Sequence, residues 1–202
     1  DIGIAFLKRK RGKKSITLDL KSEEGHALFL RLVEHADVVV ENFTVGVTER
    51  LKIDWPTLRK INPKLVYCSI TGYGATGPDA KRRAYDLTTQ AMSGLMSVTG
   101  HPGNPPTKAG TPMGDTISAG FAFSAILGAL FHRERTGEGQ HIDISMTDIL
   151  FSLIFDEALD IYEDLGMPFQ QGNRIMRFSP FNAYPTQDGW LVIGIGHDAM
   201  WR

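Results

Sequence analysis

The sequence lacks most of the features that announce a function by themselves. It has a single cysteine, Cys68, which excludes an intramolecular disulfide and a cysteine-built zinc site. Its six histidines (His26, His35, His101, His132, His141 and His197) are scattered, without the i, i+4 pairing of a helical metal site, so no metal is expected. There is no Gly-Lys-Ser/Thr for a phosphate loop and no Gly-x-Ser-x-Gly elbow for a serine hydrolase. The apolar runs fall short of the roughly 18–20 residues that a membrane span requires, so no membrane role is expected. Neither a signal peptide nor a targeting segment is visible, which points to a cytoplasmic protein. Repeats and low-complexity tracts are also missing.

Net charge is nearly absent at −1, but it is unevenly spread. Residues 1–21 carry +5 and the remainder −6, the excess lying mostly in Lys8–Lys14. Such a run attracts anions. No aromatic residue interleaves it and the rest of the chain is acidic, so a solvated loop, or a loop near a phosphorylated ligand, is expected in preference to nucleic-acid binding.

What is present is a globular composition, 42% hydrophobic and 22% charged over 202 residues, enough for one substantial core. Both ends read as cut. Ile16, Leu18 and Leu20 alternate, which predicts a strand over 15–20. Ser22 offers an N-cap to a helix with Ala27, Leu28, Leu32, Val33 and Ala36 at helical spacing. A short strand over 38–40, a helical stretch over 47–61 interrupted by Pro56, and a strand over 65–70 follow. This alternation predicts an α/β fold, with a Rossmann-like parallel sheet and flanking helices. Next come a helix over 85–98, a Gly/Pro-rich loop over 100–114 and a long apolar helix over 115–135, with Phe121, Ala125, Leu127 and Leu130 as buried candidates. A strand over 141–144, a helix to about Leu165 and a hairpin around Gln187-Asp188-Gly189 complete the pattern.

Three motifs have chemistry within reach. Gly72-Tyr73-Gly74-Ala75-Thr76-Gly77 fits the dinucleotide pattern after a strand, which would suit an NAD-dependent oxidoreductase. Pro78-Asp79, however, stand where a helix N-terminus must hold the pyrophosphate. Asp115 follows Gly114 at the start of the long helix. As an N-cap it is ordinary, yet a helix start also favours an anion that could serve as a nucleophile. Spacing leaves both roles open. Glu41-Asn42-Phe43 ends the second strand, where open parallel sheets bind ligands.

Taken together, Lys14–Lys21, Asp37–Phe43, Ser69–Gly74, Ala84–Asp86, Gly94–Gly100, Gly114-Asp115 and His132–Gln140 resemble the family III CoA-transferases, also called the CaiB/BaiF family. Order and spacing hold along nearly the whole chain. The resemblance implies that residues 1–202 are the CoA-binding N-terminal domain of such an enzyme, that 180–202 begin the linker to a second domain, and that two full chains interlock as a homodimer. It makes Asp115 the catalytic nucleophile, acting on an acyl-CoA and a small carboxylic acid. Coenzyme A contacts carry over to Leu18, Lys21, Asn42, Phe43, Thr44, Arg50, Arg83, Ala84, Tyr85 and Asp86. Where the family enters its first such strand through Asn-Arg-Asn-Lys, this chain has Lys10-Arg11-Gly12-Lys13. The related α-methylacyl-CoA racemases place a basic histidine at Tyr85, and a phenol near its usual pKa of about 10 is a poor base at neutral pH, so transfer is favoured over racemisation. A non-catalytic acyl-CoA-binding module is a further alternative.

Overall fold

The computed structural model describes residues 3–201. At its centre is a three-stranded parallel sheet in which β2 (Val66–Thr71) lies between β1 (Val38–Glu41) and β3 (His141–Ser145). Val38 pairs with Val66, and Tyr67 pairs with His141. Consecutive residues of β2 face opposite sides, and both sides are covered. Tyr67 packs with Val33 of α2 (Glu23–Val33) and Leu58 of α4 (Trp55–Ile61). Cys68 packs on the other face with Ala122 of α7 (Met113–Thr136) and Ile149 of α8 (Met146–Ser152). Leu58, Leu65 and Leu150 are wholly buried, each contributing about 1.5–3 kcal/mol. This two-faced burial is the α/β layering that the element order predicted.

Local chemistry sets the boundaries. Ser22 Oγ accepts the Gly25 N–H at 3.1 Å and starts α2, with Glu23 and Glu24 in the first turn. Pro56 ends no helix. It stands in the first turn of α4, where its missing N–H has no partner to lose, and the predicted 47–61 stretch is therefore two helices, α3 (Val47–Arg50) and α4. The predicted 85–98 helix likewise divides into α5 (Asp86–Met92) and α6 (Leu95–Val98) at Gly94, whose φ of 84° breaks the helical path. After β3 the chain forms α8 and then α9 (Leu159–Asp164), again two helices where one was read. The hairpin forms as predicted, pairing β4 (Phe181–Pro185) with β5 (Trp190–Gly194).

Three expectations are corrected. Residues 15–20 form no strand, because no described strand lies beside them to take their hydrogen bonds; Ile16 is 67% exposed. The basic run is partly helical, Lys8 to Lys10 closing α1 (Ile4–Lys10), and it is exposed. Phe121 and Leu127 are not core residues: they are 48% and 50% exposed. The buried positions of α7 are instead the small residues Gly114, Ser118, Ala122 and Ala129; Ala122 packs with Cys68 and Ile144 of the sheet, flanked by half-buried Ile117 and Ile126, while Phe121 and Leu127 stay outside. At 24 residues, with an apolar stretch of 18 residues inside it, α7 is also long and apolar enough to cross a membrane by length and composition alone, which the reading of short apolar runs missed. Here it is laid against the sheet through Ala122.

Candidate active site

Beyond the carboxyl ends of β1 and β2 lies a cleft of about 810 Å³, the position in which a parallel sheet presents its ligand site. Three segments build it. Asn42, Phe43 and Thr44 leave β1 and form one wall. The Asn42 side chain donates to the Ile70 carbonyl, and the Phe43 N–H donates to Glu41 Oε2 at 2.7 Å, so this turn is tied to both strand ends. Residues Arg82 to Leu87 form the second wall. The third is Lys108 together with Asp115 at the beginning of α7.

Gly72 explains how the second wall sits so close to the sheet. A Cβ there would fall 2.2 Å from the Ala84 Cβ, so only glycine admits this contact. Gly72 thus serves packing, while Gly74 and Gly77 take positive φ in the turn that follows. Pro78 and a turn follow it, and the next helix begins only at Asp86, so the helix N-terminus that a dinucleotide pyrophosphate needs is not there.

The start of α7 departs from the simple cap. The helix begins at Met113, and Asp115 is its third residue, so of the two roles left open to Asp115 the N-cap is not filled by it. Asp86 fills the role from another helix. Its Oδ1 accepts the Gly114 N–H at 2.7 Å and the Asp115 N–H at 3.4 Å, satisfying donors that a helix start leaves unpaired. A methyl on Gly114 would lie 2.7 Å from Thr89 Oγ1 and 3.1 Å from Asp86 Oδ1, which is why glycine precedes Asp115. With its backbone N–H held by Asp86, Asp115 keeps its carboxylate exposed on the cleft wall.

The cleft is cationic on two sides. Arg82 is paired with Asp79 at 3.0 Å, which pushes its pKa above the ordinary arginine value. Arg83 is exposed, and Lys108 Nζ donates to the Ala109 carbonyl at 3.1 Å. Tyr85 stands 80% exposed at the rim. Asn42, Phe43, Thr44, Arg83, Ala84, Tyr85, Asp86 and Asp115 are thus brought together in one cleft. Leu18, Lys21 and Arg50 are not part of its wall; Leu18 is half-buried, while Lys21 and Arg50 are exposed. Sequence reading passed over Lys108, Arg82, Thr71 and Met146, which also line it. Lys108 had one available signal, as the cation of the loop running into Asp115. No group of three or more metal-ligating side chains occurs among the described residues.

The profile of CoA-transferase family III matches residues 1–202. The chain is 44% identical over 192 residues to a succinate–glutarate CoA-transferase of Agrobacterium fabrum, covering 95% of this chain and 48% of that protein. It is also 44% identical over 204 residues to an acetyl-CoA:oxalate CoA-transferase of Acetobacter aceti, covering 100% and 52%. A CaiB/BaiF family protein from Brucella suis has the same fold, with a TM-score of 0.82 at 41% identity over 94% of this chain and 50% of that one. The chain spans about half the length of the curated relatives it matches.

Proposed function

The chain belongs to CoA-transferase family III, and from that premise we propose that the whole protein moves coenzyme A from an acyl-CoA to a small dicarboxylic acid, with Asp115 as the covalent nucleophile. The observation that carries this reading is the Asp115 carboxylate, exposed on the wall of a cationic cleft while Asp86 occupies the helix-start donors. Arg83 and Lys108 suit the phosphates of CoA and the carboxylates of the acids. Succinate, glutarate and oxalate in the names of the relatives support a dicarboxylic substrate.

The chemistry balances without a proton. An Asp115 oxygen attacks the thioester carbonyl, the C–S bond breaks, and the thiolate departs to leave a mixed anhydride on Asp115. The thiolate then attacks the aspartyl carbonyl, the donor acid leaves as its carboxylate, and Asp115 carries CoA as a thioester. The acceptor carboxylate runs the two steps in reverse and restores Asp115. Dividing one difficult exchange into successive acyl transfers is the gain of covalent catalysis.

The full-length protein is inferred to be a homodimer. Phe123 and Phe131 of α7 and Phe155 after α8 are each more than 60% exposed, and an interlocking second chain would cover them. Residues 1–202 are the CoA-binding part in this reading, with 180–202 leading toward a second domain. A cytoplasmic location is part of the same proposal.

The test is Asp115→Asn in the full-length protein. The amide is a far weaker nucleophile, so the variant should fold and bind CoA while losing turnover by about 10⁴-fold or more. Hydroxylamine should trap acylated wild-type enzyme, with mass spectrometry placing the CoA adduct on the Asp115 peptide. Near-normal turnover by a folded Asp115→Asn protein overturns the reading.

A further inference from the structure

A glutamine shut away from water is costly unless each of its polar atoms finds a partner. Gln90 is fully buried in α5. Its Nε2 donates to Asp86 Oδ2 at 2.7 Å and to the Thr111 carbonyl at 3.4 Å, and its Oε1 accepts the Ala109 N–H at 2.9 Å. Both amide donors and the acceptor are therefore used. The partners lie on separate stretches of chain. Asp86 is one helical turn away, whereas Ala109 and Thr111 belong to the loop that carries Lys108 and runs directly into α7. That loop has no regular structure of its own, so Gln90 supplies bonds its backbone would otherwise lack.

The amide also settles how Asp86 is turned. With Oδ2 held by Gln90, Oδ1 faces Gly114 N–H and Asp115 N–H. Released from Gln90, the Asp86 carboxylate could rotate about its own bond and leave those donors.

We propose that Gln90 is the positioning residue of this site: through Asp86 and the 107–112 loop it fixes where the Asp115 carboxylate meets its substrate, without touching substrate itself. This rests on the transfer reaction proposed above. Geometry of this kind acts on turnover, since a displacement of about 1 Å in a reacting group can cost about 10²-fold.

The experiment uses the full-length protein with Gln90→Met, which keeps the bulk and removes the bonds, and Gln90→Glu, which keeps an acceptor for Ala109 but denies Asp86 its donor. Hydrogen exchange of the peptide spanning residues 107–116 should quicken by about 5–10-fold in Gln90→Met, a readout that needs no activity. In both variants kcat should fall by about 10–10²-fold while KM for acyl-CoA stays within about twofold. Formation of the Asp115 adduct should slow in parallel. Unchanged exchange in Gln90→Met, or losses confined to KM, overturns the proposal. A wild-type protein that forms no adduct on Asp115 overturns the transfer reading instead, and the exchange measurement still decides whether Gln90 holds the loop.

Discussion

A single methyl placed on Gly114 sets helix propensity against packing next to Asp115. By propensity alone, alanine in a helix is worth about 1 kcal/mol more than glycine. At Gly114 the added carbon would meet Thr89 Oγ1 at 2.7 Å, Asp86 Oδ1 at 3.1 Å and the Met146 methyl at 3.2 Å. Met146 can swing away, but the first two are pinned: Thr89 donates to the Asp86 carbonyl at 2.9 Å, and Asp86 is held by Gln90 and by the helix start. Overpacking of this sort costs about 1–3 kcal/mol, and pushing Asp86 off the Gly114 N–H costs about 1 kcal/mol more. Set against the propensity gain, the net expectation is a loss of about 1–3 kcal/mol. Gly120 and Gly128 of the same helix provide the control, since a Cβ on either meets nothing within 4 Å. Gly120→Ala and Gly128→Ala should each gain about 0.5–1 kcal/mol. Denaturant midpoints of the three variants of this chain decide the matter. A Gly114→Ala midpoint that rises with the controls would mean the neighbours yield freely, and the reasoning that glycine is required before Asp115 would fail.

Gly72→Ala should displace the Arg83–Asp86 wall, because its Cβ would overlap that of Ala84 at 2.2 Å; KM for acyl-CoA should rise several-fold, and an unchanged KM would separate Gly72 from the site. Burial raises the Cys68 thiol from 9.0 to about 11, so it stays neutral in the fold while the unfolded chain ionises first. Stability should therefore fall as pH climbs from about 9 toward 11. Iodoacetamide should label Cys68 at pH 8 only after unfolding, and rapid labelling of native protein would contradict its burial. Incubated with a 2-methylacyl-CoA in deuterated water, the full-length protein should leave the α-carbon unlabelled; fast exchange would restore the racemase reading, with a base other than Tyr85.

By itself the sequence determined the things that depend on near neighbours. The apolar run at Val38–Val40, the Ser22 cap and the Gly/Pro-rich loop each carry their structure in residue type and spacing, so the α/β order and most elements were legible. The order of motifs from Lys14 to Gln140 was enough to suggest the family. Tertiary structure decided whatever depended on contact across the fold. The alternating residues of 15–20 needed a pairing strand and have none among the described residues, and the face of α7 that is buried was settled by how closely the neighbouring elements approach, which favoured small residues over Phe121 and Leu127. Asp115 looked like a cap because a cap is a local guess, whereas the true partner of the helix start, Asp86, lies 28 residues from Gly114 in sequence and next to it in space. Gln90 gave no sign of itself at all, since a glutamine on a helix reads as solvated until the loop that buries it is in place.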